Sequence, residues 1–122
     1  MPLLTICTNT DIDHADTFTL EASAFTARLL AKPESYVMVK IETVRTMSFA
    51  GSFKAAAHLQ LKSLGLAETE TERLSAALCQ FIEDRLSIPA ARIYIEFASP
   101  ERSMWGWDNH TFGQESVGLN QS

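Results

Sequence analysis

Positive charge is scarce in this chain, and so are cysteine, glycine and long apolar runs. Ten Lys and Arg face fifteen Asp and Glu among 122 residues, a formal net charge of -5. Phosphate binding needs a basic face, and here the few cations are scattered, so nucleic acid is not the expected partner. The two cysteines, Cys7 and Cys79, lie far apart in apolar segments. They read as buried, reduced thiols rather than a disulfide or redox pair. His14, His58 and His110 have no metal-ligand spacing and no cysteine near them in sequence, so no zinc site is expected. A basic, then apolar, leader is missing, as is an apolar stretch long enough to cross a bilayer. The expectation is a cytoplasmic protein without membrane contact, with leaderless export as the alternative.

What remains suffices for one domain. The chain is 46% hydrophobic and 20% charged, enough to bury a real core. Residues 2–8 read as a buried strand. Phe18, Ala22, Phe25 and Leu29 recur at helical spacing and predict a helix over 15–31, stopped by Pro33. Val37, Val39 and Ile41 alternate as in a half-buried strand over 36–41. The plan then repeats. Residues 56–62 form a second opening strand, Ala-rich and ambiguous by propensity. Thr69 and Glu72 have capping-box spacing, and Leu74, Leu78, Phe81 and Ile82 carry a helix to about 86. Residues 92–98 alternate again, with Ile93, Ile95 and Phe97 on one face and Tyr94 and Glu96 on the other. The two units are offset by roughly 54–56 residues. Two β-α-β units imply an α+β sandwich: a four-stranded main sheet with two helices on one face. Its second face and its edges invite self-association.

Pro2 follows the initiator methionine directly. Aminopeptidases trim Met1 before a small residue such as proline, which would leave a free secondary amine on the mature chain. An α-amino group titrates near ~7.7–8.0, and burial beside apolar neighbours moves that value down. Such an amine can act as a general base at neutral pH.

Several segments occur in an informative order: Met1-Pro2, Ala31-Lys32-Pro33, Phe49-Ala50-Gly51-Ser52, Ser63-Leu64-Gly65, Arg92-Ile93-Tyr94-Ile95 and Gly106-Trp107-Asp108-Asn109-His110-Thr111-Phe112. Together they resemble the macrophage migration inhibitory factor family of the tautomerase superfamily, over about residues 2–113. The resemblance implies a homotrimer whose three sheets wrap a channel, with an active site at each subunit interface. It implies a single domain over 1–113 and leaves 114–122 as a polar, flexible tail. The implied activity is keto–enol tautomerisation of small aromatic α-keto acids such as phenylpyruvate, with Pro2 as the base. Proton transfer of this kind needs neither metal nor organic cofactor.

The resemblance also distributes roles. Lys32 would neighbour the terminal proline, lower its proton affinity and hold the substrate carboxylate. Leu64 stands where the family has an isoleucine whose main chain orients the acid. Tyr94 would reach the pocket of an adjacent subunit, and Trp107 and Phe112 would form its apolar mouth. Trp105 replaces a smaller aliphatic, which implies a narrower pocket. Glu96 stands where an asparagine is usual; an ionised carboxylate only accepts hydrogen bonds, so Glu96 is expected to pair with a nearby base such as Lys62 or Arg92, to be protonated, or to shift substrate preference. Ala56 and Leu59 replace a Cys-x-x-Cys pair, which removes dithiol chemistry. Ile12 and Val44 fall where receptor-contacting Arg and Asp occur in the family. That weakens the alternative of a signalling or binding protein with vestigial catalysis.

Overall fold

Backbone pairing realises the doubled unit. The computed structural model describes residues 1–114, so the tail expected over 114–122 lies, beyond Gln114, outside the described residues. The first unit comprises β1 (Leu3–Thr8), α1 (Ala15–Leu30) and β2 (Met38–Thr43), and the second β3 (Ala57–Lys62), α2 (Thr71–Leu86) and β4 (Ile93–Ala98). The sheet runs in the order β2-β1-β3-β4. Within each unit the strands are parallel, and β1 meets β3 antiparallel, with Leu3 opposite Lys62 and Thr8 opposite Ala57. Parallel neighbours need a long crossover, and each helix supplies one.

Both helices cover the same face. Leu4 and Ile6 of β1, Leu59 and Leu61 of β3, and Ile93 of β4 form one buried cluster with Phe18 and Ala22 of α1 and Leu74, Leu78, Phe81 and Ile82 of α2. Phe81 joins the helices, with ring centroids 5.8 Å from Phe18 and 4.5 Å from Phe25. The period-2 rule places the alternate residues on the opposite, uncovered face. There Glu42, Cys7, His58 and Tyr94 form one register row across the sheet, and Lys40, Thr5, Gln60 and Glu96 the next.

Local chemistry moves three expected boundaries. Helix α1 ends one residue early, at Leu30, because Ala31 adopts a left-handed conformation (φ 54°). The Lys32 N–H then donates to Ala27 O at 2.9 Å, closing the end of the helix. Tyr36 does not begin β2. It belongs to a 3-10 turn over Glu34–Tyr36, started by the fixed φ of Pro33, with its N–H donating to Pro33 O at 3.1 Å. The Thr69–Glu72 capping box is not formed, since Thr69 lies in a 3-10 turn over Glu68–Glu70. Thr71 Oγ1 donates to Glu68 O at 2.8 Å instead.

Two short strands, β5 (Gly106–Trp107) and β6 (His110–Thr111), make a hairpin from the Gly-Trp-Asp-Asn-His-Thr run. Asp108 and Asn109 both have positive φ, 51° and 68°. That is the type I′ geometry which matches strand twist, and Asp and Asn tolerate it well. Gly113 then fits against the preceding turn, where a Cβ would fall 2.7 Å from the Ser103 Cα.

Candidate active site

The start of β1, the end of α1, the end of β3 and the C-terminal hairpin converge on the chain's N-terminus. Pro2 is fully buried, and its carbonyl accepts the Met38 N–H at 3.0 Å. Met1 is only 9% exposed and forms a second small cluster with Leu64 and Phe112, flanked by the half-buried Tyr36 and Trp105.

The amine of Met1 is pushed down from its ordinary 8.0 to about 5. Burial is the main cause, followed by the like charges of Lys32 and Arg102. Lys32 is itself pushed down, first by burial and then by Arg102. Its Nζ donates to the Leu64 carbonyl at 2.9 Å, which fixes the ammonium beside the terminus. The left-handed Ala31 turns the chain at that point, so the helix end itself aims Lys32.

An aromatic wall closes one side. Phe112 is buried, and Trp107 stacks on it with centroids 6.1 Å apart and planes 8° apart. Tyr36 meets Trp107 edge-on at 5.7 Å. Phe112 N–H donates to Trp105 O at 3.2 Å, tying hairpin to turn. Arg102 completes this edge, its Nε donating to Phe112 O at 3.3 Å and its guanidinium lying 5.8 Å from the Phe112 ring centroid.

Pro2, Lys32, Leu64, Trp105, Trp107 and Phe112 are therefore gathered in one place by a single chain. Tyr94 and Glu96 are not. The strand register sets Ala98 level with Leu3 through Lys62, so Tyr94 lies roughly 13 Å away along the sheet at about 3.3 Å per residue. Tyr94 is 67% exposed, and its ring packs 4.8 Å from that of Phe49. A surface cavity of about 380 Å3 lies there, lined by Met47, Phe49, His58 and Tyr94 among others. Glu96 pairs with His58 across β3 and β4, in a short contact from its carboxylate to His58 Nε2. The expectation of Lys62 or Arg92 as its partner is thus corrected. His58 stands in the row adjoining Glu96 on the open face. Arg92 is engaged elsewhere, donating to the carbonyls of Phe49, Ser52, Lys54 and Ala55.

Tyr36 and Arg102 escaped the sequence reading. Tyr36 looked like the first residue of an alternating strand, and Arg102 sits in a polar turn with no periodic pattern. The proline three residues before Tyr36 was the one available signal. The thiols offer no competing chemistry. Burial raises both Cys7 and Cys79, with Glu42 and Glu83 respectively adding to the effect, although the Ser75 hydrogen bond lowers Cys79. Both are half-buried rather than fully so.

A mixed sheet of two β-α-β units, backed by two helices and gathering its pocket round the first residues, is the architecture of the tautomerase superfamily. The macrophage migration inhibitory factor family model matches residues 1–113. A macrophage migration inhibitory factor homolog from Trichinella spiralis is 39% identical over 114 residues, covering 92% of this chain and 100% of its own length. One from Brugia malayi is 36% identical, covering 93% and 100%. Among solved structures, the homologue from Prochlorococcus marinus aligns with a TM-score of 0.85 at 36% identity, covering 91% of this chain and 99% of that one. The chain belongs to the macrophage migration inhibitory factor family.

Proposed function

We propose that this protein is a keto–enol tautomerase of small aromatic 2-oxo acids such as phenylpyruvate. Removal of Met1 frees the Pro2 amine, which takes a proton from the carbon beside the carbonyl and returns it to oxygen, or the reverse. The observation that carries this reading is the environment of the terminus, where burial, Lys32 and Arg102 hold an amine near 5. Pro2 lies one residue deeper in the same surroundings. Its amine would then be uncharged at neutral pH, as a general base must be. Lys32 would hold the carboxylate while its bond to Leu64 O keeps it in place. Trp107, Phe112 and Tyr36 would offer the aryl ring an apolar rest, with Trp105 narrowing the entrance.

The reading includes a homotrimer resident in the cytoplasm. Exposed Tyr94, remote from the pocket of its own chain, would complete the pocket of a neighbour, and Glu96 would sit close to that junction. A signalling role is the second reading, supported by the names of the relatives. Ile12, where a receptor-contacting arginine occurs in the family, packs against the core, which counts against it.

The test is phenylpyruvate turnover by the mature chain, with Met1 removal verified by mass, against Pro2→Ala. The variant keeps the carbonyl that accepts from Met38 and should fold, yet lose most of its turnover. Wild-type rates in the variant would assign the base to another residue.

A further inference from the structure

We infer that His110 is a positioning residue, its ring bracing Trp107 so that the N-terminal site prefers an aryl to an alkyl side chain on its 2-oxo acid. The inference rests on the tautomerase reading of that site and names what selects within its substrate class.

Trp107 needs support from its neighbours. It is 43% exposed and stands on a hairpin whose strands are two residues each, so burial alone leaves several rotamers open to it. Three rings surround it. Phe112 stacks on it and Tyr36 meets it edge-on. The third is half-buried His110, with centroids 5.9 Å apart and planes inclined by 57°. That separation falls within the roughly 4.5–7 Å range of favourable aromatic pairs. The imidazole also lies 6.4 Å from the Phe112 ring. His110, Trp107 and Phe112 thus form a triangle in which each ring meets the other two.

Hairpin chemistry puts the imidazole there. Trp107 and His110 are the paired residues on either side of the Asp108-Asn109 turn, and directly opposed residues send their side chains to the same face. The ring is then held by the turn itself. A carbonyl only accepts, so His110 Nδ1 carries the proton and donates to Asp108 O at 2.8 Å. One bond fixes the imidazole, and the imidazole in turn limits the indole.

The two kinds of substrate respond differently to that restraint. Stacking depends on the angle and offset of the partner ring, whereas an alkyl group gains by area against any apolar wall. An indole free to turn must be ordered when an aryl ring binds, which weakens that binding selectively. His110 carries no step of the proton transfer, so the change falls on KM and leaves kcat near its wild-type value.

The experiment compares mature wild-type protein with His110→Asn, which keeps a donor for Asp108 O but has no ring, and with His110→Phe, which keeps a ring but has no donor. Neither change touches the sheet core. Exchange of the C3 protons of phenylpyruvate and of 4-methyl-2-oxopentanoate for deuterium is followed by NMR. In His110→Asn the kcat/KM ratio of the aryl over the alkyl acid should fall about fivefold, the scale of lost aromatic pairing, with the loss in KM. His110→Phe should retain most of the preference. Loss in both variants, or in neither, overturns the inference, as does a loss confined to kcat. A second measurement does not depend on turnover. The unreactive acids 3-phenylpropanoate and 4-methylpentanoate are titrated into all three proteins while tryptophan fluorescence is followed. Selective weakening of the aryl acid in His110→Asn alone supports the inference even where no exchange is catalysed, a result that would refute only the tautomerase reading. Equal weakening of both acids, no weakening, or no binding of the aryl acid by wild type overturns it.

Discussion

Retention of Met1 would block the proposed base and fill the pocket in one step, and the two effects have opposite signs. In a chain that keeps Met1 the Pro2 nitrogen is an amide and cannot accept a proton, so turnover of phenylpyruvate should be lost. The same residue is nearly buried against Leu64 and Phe112. Burying a methionine side chain contributes about 1.5–3 kcal/mol, and ordering it costs up to about 1.5–2 kcal/mol. The net is a gain of about 0.5 kcal/mol, or about 2 °C in Tm for a domain of this size. The retained amine adds a pH signature. Its folded value is about 5 against an ordinary 8.0, so between those limits the unfolded chain binds more protons. Stability therefore rises with pH through that window and loses this contribution as the amine protonates toward pH 5. The assay sets protein made with methionine aminopeptidase inhibited beside processed protein, each verified by mass, and reads thermal denaturation at pH 5, 6.5 and 8 together with turnover. An N-acetylated control, which carries no titrating amine, should lack the pH signature. Full turnover by the Met1-bearing chain would refute the role of Pro2, and a lower Tm than that of processed protein at pH 8, where the amine costs least, would refute the packing argument.

Two further outcomes follow from named contacts. Lys32→Gln should raise KM for the acid and lower kcat/KM about tenfold. Removing a cation that depresses the amine should also move the acid limb of the pH–rate profile upward, so a fixed limb would separate Lys32 from the base. Arg92→Lys should give up most of the carbonyl contacts that hold residues 49–55. The expected loss is about 1–3 kcal/mol, seen as a lower urea midpoint, and an unchanged midpoint would show that Asn9, which donates to Met47, Phe53 and Lys54 carbonyls, holds the segment unaided.

The pattern of apolar residues located all four main strands and both helices, because burial of one face imposes a period of 2 or 3.6 on the side chains themselves. It misplaced the start of β2 and the cap of α2, where a proline-led turn and a 3-10 turn acted through backbone geometry that periodicity does not encode. The members of the site were readable to different degrees. Lys32 and the Trp107–Phe112 run stood out through the resemblance. Arg102 had no pattern at all, and Tyr36 carried the wrong one. The partner of Glu96 was missed for a related reason: His58 lies 38 residues away in sequence, and only strand register brings the two together.

Local order alone thus determined the doubled β-α-β plan and the face each helix buries, since both depend on neighbours a few positions apart. The tertiary structure decided which charges surround that terminus and which residues stay away from it. Charge effects act through space, and the distances that govern them exist only once α1, β3 and the C-terminal hairpin have closed round the first two residues.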